Sequence, residues 1–349
     1  MKLPTELRTG VRFMAVLNKN HREILRRSGM KWTPLHERLL QFHMGNLEFA
    51  CGSSLADVSW RCWDQNEDMP SFAGRHALLV DGTAPIITKL TEQLDINFDI
   101  KVKNIEYERK DENDGYPIRI ATEDALGNRK SFECDMVLCT MPLKVLQTSP
   151  DLFSPPLSGE KVAALKGIGA GLIEKVIVRF SEPFWEEYFE PGNFFFGHVP
   201  KVPEQRTVFN LFHDFSKRDG PVENRSYVLM SYLGGRSVDL VNEKSDEQIV
   251  ELFVDVLKSL FPKKSDKIKA IDSFVTHWGK NAFTGMSYSY VKINGTGDDY
   301  DTIAKSVDDK VFFAGEHTCR FYPQTMTGSA MSGYREAGKI LQILHKEKQ

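Results

Sequence analysis

With 349 residues, 39.8 kDa, 41% apolar and 27% charged side chains, the chain has the length for one large domain or two lobes and a composition that excludes intrinsic disorder. Its formal net charge of −3 excludes an overall basic footprint, although residues 1 to 40 hold nine Lys/Arg against three Asp/Glu, so an anionic partner, nucleic acid included, would meet this basic N-terminal segment. No apolar run reaches the roughly 18 residues of a bilayer span, MKLPTELRTGVR is charged where a signal peptide is apolar, and Cys51, Cys62, Cys134, Cys139 and Cys319 form neither a CxxC pair nor a metal-ligand spacing, which fits free thiols in a reducing compartment and no metal.

In chain order, GTAPIITKLTEQL (82–94) puts Ile86, Ile87, Leu90 and Leu94 on one helical face. IKVKNIEYER (100–109) and YPIRIATED (116–124) predict strands flanking a KDENDG turn, and DMVLCTM (135–141) predicts a buried strand. GIGAGL (167–172) is a near miss of the dinucleotide fingerprint GxGxxG. Leu172 stands where the last glycine is needed and the run feeds a strand, so we reject it as a cofactor loop. That strand, EKVIVRF (174–180), has a period of two that sets Lys175 opposite Val176 and Val178. NFFFGHV (193–199), TVFNLF (207–212) and SYVLMSYL (226–233) form a second group of strands. SDEQIVELFVDVLKSLF (245–261) reads as a helix with a Ser245/Gln248 capping box and a stripe through Ile249, Phe253, Val256 and Leu260. The mixture predicts an α/β (α+β) fold in two lobes.

Near the end, VFFAG (311–315) predicts a buried parallel strand with Glu316 at its carboxyl end, where open α/β sheets bind ligands. The helix opening near Thr325 has small residues at Gly328, Ser329, Ala330, Ser332, Gly333, Ala337 and Gly338, and its first turn would suit an anion or a flat, electron-rich ring. Composition alone leaves two readings open, a tightly packed strand and helix or a ligand seat. Each remaining candidate also has an ordinary explanation: a solvent-facing strand lysine for Lys175, apolar core for Trp278, Phe283 and Tyr288, and a solvated turn for Asp64, Glu67 and Asp68.

The whole string GEHTCRFYPQTMTGSAMSGYREAG closely resembles the C-terminal flavin-binding motif of the flavin amine oxidases: Gly-Glu, then Pro-x-Thr-x-x-Gly, then Ser-Gly-x-x-Glu-Ala. LQFHMGNLEFACGSSLADVSWRCWDQNED (40–68), FAGRHALLVDG (72–82), LCTMPLKVL (138–146), GIGAGLIEKVIVRF (167–180) and SYSYVKINGTGDDYD (287–301) resemble, in order, the flavin-dependent lysine-specific histone demethylases, leaning toward the type 1B branch. The likeness covers roughly residues 36 to 342.

This resemblance implies an FAD-linked amine oxidase fold of two lobes, with residues 1–75 and 150–290 in a substrate lobe and 76–149 and 291–349 in an FAD lobe. It implies oxidation of mono- or dimethylated lysine at position four of the histone H3 tail to an imine, with release of formaldehyde and hydrogen peroxide. Lys175 would face the flavin, buried beside it and holding a water against it, and Tyr288 would close the amine pocket, with Ser287 between pocket and ring. Val102, Thr140, Pro142, Trp278, Phe283, Gly315, Glu316, Gln324, Thr325 and Met326 would contact FAD. Asn46, Asp64, Glu67, Asp68 and His76 would line the peptide mouth, where acidic walls steer a Lys/Arg-rich tail inward. Nuclear location and chromatin partner proteins follow from the family only.

The family's GxGxxG, which belongs to an N-terminal Rossmann dinucleotide-binding portion, is missing from this chain, so we read it as the C-terminal part of an oxidase and do not expect it to hold flavin or be active alone. Two rivals accompany this reading: a polyamine oxidase, and a truncated, non-catalytic chromatin-binding protein.

Overall fold

The computed structural model describes residues 10–70, 79, 81–108, 115–190, 193–217 and 221–346. Two helices open it, α1 (Phe13–Ser28) and α2 (Pro34–Cys51). Gly29 ends α1 in the left-handed region (φ 65°), and α2 starts with a Thr33/His36 capping box and Pro34 in its first turn. The chain continues through α3 (Ala84–Thr91), β1 (Ile100–Glu106), β2 (Ile118–Asp124), β3 (Arg129–Cys134), β4 (Val137–Cys139), α4 (Leu143–Thr148), β5 (Phe153–Ser154) and α5 (Gly159–Gly167). Next come β6 (Ile168–Gly171), β7 (Glu174–Phe180), β8 (Phe195–Gly197), β9 (Leu211–Asp214), β10 (Tyr227–Leu233), α6 (Leu240–Glu243) and α7 (Asp246–Leu260). The last elements are β11 (Ala270–Val275), β12 (Tyr288–Val291), α8 (Asp298–Ala304), β13 (Val311–Phe313) and α9 (Met326–Lys346).

Four pairings organise these strands. β3, β2 and β1 form an antiparallel meander, with β5 added parallel to β1. An antiparallel sheet of order β11-β7-β10-β9-β8 packs against α7, whose Ile249, Phe253 and Leu257 are buried. β6 pairs with β12 antiparallel, and β4 with β13 parallel. One apolar core joins Ile105, Cys139, Leu165, Met286 and Phe313, a second joins Val176, Trp185, Phe212 and Phe253, and a third joins Phe13, Met44, Leu55 and Tyr290.

The strand GIGAGL was expected to feed is present, and Ile168–Gly171 is itself a strand. Two expectations need correction. The 82–94 helix is shorter, and Ile86, Ile87, Leu90 and Leu94 are exposed because no described residue covers that stripe. In TVFNLF the strand starts only at Leu211, since Thr207 and Phe209 adopt positive φ (67° and 54°) and break the extended run. The sequence reading placed no helix before residue 82, yet α1 and α2 fill that region.

Candidate active site

The parallel register sets Phe313 opposite Cys139, and Ala314 N donates to Cys139 O at 3.1 Å, so the carboxyl ends of β13 and β4 coincide. Exposed Thr140 and half-buried Pro142, which precedes α4, stand at that end beside Gly315 and Glu316. Gly315 has φ 133°, and a Cβ there would lie 2.6 Å from the His317 ring, so only glycine fits. From α9, Ser332 Oγ accepts from Gly315 N (2.8 Å), while Arg335 donates to Phe313 O (3.0 Å) and Thr318 O (2.7 Å). The helix thus fixes the turn that aims Glu316.

The Glu316 carboxylate accepts three hydrogen bonds, from Ser289 N (3.2 Å), Ser289 Oγ (2.7 Å) and Gln324 N (2.7 Å). Burial raises its pKa, and these donors oppose the shift. Gln324, at φ 67°, returns a bond from Nε2 to Ser289 O (2.8 Å). Thr325 Oγ1 accepts from Gly328 N (2.9 Å) and so caps α9, leaving exposed Met326 and Thr327 in the first turn. A Cβ at Gly328 would collide with the Tyr322 carbonyl.

The amine-pocket candidates gather where β6, β7 and β12 meet. Ser287 Oγ bridges Ile173 N and Ile173 O, each at 3.0 Å, and Ser287 N donates to Gly171 O at 2.7 Å. The Tyr288 ring packs on Gly52, where a Cβ would come within 2.8 Å, and its hydroxyl donates to Phe49 O. Burial pushes the Tyr288 phenol well above its usual pKa. Lys175 pairs in register with Tyr232, whose ring lies 5.7 Å from Phe49. Lys175 is exposed on the face of β7 that also carries half-buried Ile177.

Glu174 escaped the sequence reading. Its buried carboxylate accepts from Thr276 Oγ1 (2.5 Å), Trp278 N (3.1 Å) and Gly279 N (2.9 Å), fixing the turn that presents Trp278. The signal was available, because the period that exposes Lys175 buries Glu174 with Val176 and Val178. Trp278 and Phe283 are 45% and 63% exposed, which corrects the default expectation of core and leaves two aromatic faces for a ligand.

A cavity of about 260 Å³ lies between the acidic loop and the last strand-helix turn, lined by Cys51, Trp63, Asp64, Glu67, Tyr290 and Gln324 among others. The fold therefore joins Asp64 and Glu67 to the Gln324 wall. Asp68 is exposed outside that lining. Asn46 lies on α2 one turn before Ala50, which does line it, and its buried Oδ1 has no hydrogen-bond partner among the described residues. Val102 stands at the β1 bulge, packed on the first core. His76 lies outside the described residues.

A mixed helix-and-sheet fold with a buried, hydrogen-bonded carboxylate at the end of a parallel strand pair fits a flavin-dependent oxidase. The chain belongs to the flavin containing amine oxidoreductase family, whose profile matches residues 15–341. Its cofactor is FAD. Among its relatives, mouse "Lysine-specific histone demethylase 1B" is 40% identical over 92% of this chain, and human "Lysine-specific histone demethylase 2" is 39% identical over 92%. The chain spans 36% and 37% of those two proteins' lengths. Among solved structures, cyclohexylamine oxidase from Brevibacterium oxydans gives a TM-score of 0.63 at 16% identity over 87% of this chain and 64% of its own. Putrescine oxidase bound to putrescine gives 0.59 at 17% over 75% and 53%, so both show the fold alone.

Proposed function

We propose that this chain carries the substrate mouth and part of the FAD seat of a histone demethylase acting on mono- and dimethyl-lysine at position four of the H3 tail. The observation that carries the reading is the cavity that sets Asp64 and Glu67 against Tyr290 and Gln324. The identities to demethylases, 39–40%, against 16–17% for the small-amine oxidases, support a peptide over a polyamine.

The residues fit a flavin. A carboxylate offers about four acceptor positions, and Glu316 uses three on protein donors, which leaves one for a ligand hydroxyl. Thr140, Pro142, Gly315 and Glu316 would hold FAD at the strand ends, Gln324, Thr325 and Met326 at the α9 entrance, and Trp278 and Phe283 by their exposed rings. Val102 would meet it through its backbone. Bound FAD would supply the hydride acceptor.

The chain's own groups do the rest. Asp64 and Glu67, with Asp68 and Asn46 nearby, attract the cationic tail. Tyr288, un-ionised at neutral pH and anchored to Phe49 O, closes the pocket with an aromatic face, an attraction of about 0.5–2 kcal/mol for an alkylammonium. Lys175, on the Tyr232 face, would hold a water for the reaction. Oxidation requires a nitrogen lone pair, so trimethyl-lysine is refused.

Incubating the flavin-loaded protein with mono-, di- and trimethylated H3 peptides, with mass spectrometry and peroxide detection, tests this. Loss of 14 mass units per methyl, about one peroxide each, is expected from the first two only. Loss from the trimethyl peptide, or turnover of spermine alone, overturns it. The same reading places the protein in the nucleus with chromatin partners, which imaging of the tagged protein checks.

A further inference from the structure

We infer that Gln65 and Arg320 form a clamp that sets the width of the acidic mouth and thereby favours an extended cationic peptide over a small amine. The inference rests on the function proposed above and adds two positioning residues to it.

The acidic loop is built mainly from its own short turns: Gln65 N donates to Cys62 O, Glu67 N to Asp64 O and Met69 N to Asn66 O. Its orientation relative to the opposite wall is set by another contact. Gln65 Nε2 donates to Arg320 O at 2.8 Å, and Arg320 Nε donates back to Gln65 Oε1 at 3.1 Å. Tyr322 OH, reaching Pro70 O at 3.2 Å, adds a second tie. Asp64 and Glu67 flank Gln65 in sequence and line one wall of the cavity, while Gln324, four residues after Arg320, lines the other. The reciprocal pair therefore bolts one wall to the other.

Arg320 is itself held. Its Nη1 donates to Asp298 Oδ1 (2.6 Å) and Asp301 Oδ2 (2.9 Å), both at the start of α8. Two carboxylates thus satisfy its charge, and the Nε that remains reads the Gln65 amide. Gly297 lies under the junction, where a Cβ would collide with Gln65 Oε1 and come within 2.8 Å of Arg320 Nε. Nothing larger than glycine leaves the clamp closed.

This geometry makes a prediction opposite to simple electrostatics. Arg320→Gln removes a cation and unmasks Asp298 and Asp301, so steering alone would tighten binding of a cationic peptide. A clamp that sets the wall spacing predicts weaker binding. The test uses the flavin-loaded protein with Arg320→Gln, Arg320→Lys, Gln65→Leu and Gly297→Ala. One readout is the Kd of a fluorescent, unmethylated H3 tail peptide by anisotropy, and the other is KM and kcat for dimethylated peptide and for free dimethyl-lysine.

All four variants should raise peptide Kd and KM about five- to tenfold, the loss of one or two hydrogen bonds. Peptide kcat and both constants for free dimethyl-lysine should stay within about twofold. Arg320→Lys keeps a charge beside Asp298 and Asp301 but lacks the Nε fork, so it should not rescue. Gly297→Ala removes no polar group and reproduces the defect by displacement alone. Tighter peptide binding by Arg320→Gln, full rescue by Arg320→Lys, or equal losses for peptide and free amine would each overturn the clamp. A wild-type protein with flavin bound, shown by its visible absorption, that binds peptide but oxidises no methyl-lysine refutes the proposed function, and the clamp is then decided by Kd alone.

Discussion

The core beneath β7, β10 and α7 and the seat formed by β4, β13 and α9 are built on opposite principles. In the first, Phe180, Phe184, Trp185, Phe209, Phe212 and Phe253 pack mostly edge to face, with ring centroids 4.8–6.2 Å apart. In the second, Lys161, His317, Ser332 and Glu336 are all nearly inaccessible, and polar bonds rather than rings fix the geometry. Lys161 alone donates to three carbonyls, Thr302 O, Ile303 O and Lys305 O. The comparison teaches that one half holds the fold by area and shape, and the other places specific atoms at a ligand's edge.

The largest effect should come from breaking the aromatic half. Phe253→Ala removes a fully buried ring that contacts Phe209 and Phe212, and should cost about 3–5 kcal/mol in denaturant unfolding. A cost under about 1 kcal/mol would show that the aromatic cluster is not where stability resides.

The polar half should answer to pH instead. Burial lowers His317 to about 4 from an unperturbed 6.5. Above pH 6.5 the ring is neutral whether folded or not, and its contribution to stability is fully present. As pH falls from 6.5 to 4 only the unfolded chain takes up the proton, so up to about 3 kcal/mol is lost and no more below that. Urea midpoints over this window should fall in the wild type and flatten in His317→Leu, whereas Phe253→Ala should keep the slope.

Shape also matters locally in the seat. Gly328→Ala drives a methyl group into the Tyr322 carbonyl and should cost about 1–3 kcal/mol, with flavin absorbance of the holoprotein lost before the fold. The smallest effect is expected between the two halves, at Tyr288→Phe. It deletes the hydroxyl bond to Phe49 O for about 1 kcal/mol and, by the proposed function, raises KM for methylated peptide more than it lowers kcat.

Much of this was legible beforehand. β7 runs over the predicted residues with the predicted alternation, and the Ser245/Gln248 box closes as read. The 311–338 string announced a strand, a carboxylate and a helix opening after Thr325, and all three are there. What escaped were groups whose meaning depends on their neighbours. The strand period could have marked Glu174 as buried with Val176 and Val178, but not the partners that close on it, Thr276, Trp278 and Gly279.

By itself the sequence determined the periodicities, caps and punctuation, and the ordered motifs that mark a flavin amine oxidase, because propensity and side-chain spacing act within a few residues of each other. Only the tertiary structure decided that β4 and β13 end together, that no described residue covers the apolar stripe of α3, and that Gln65 meets Arg320 across 255 positions. Such meetings depend on the path of the whole chain and on the burial that offsets the entropy of closing so long a loop, and no local pattern encodes them.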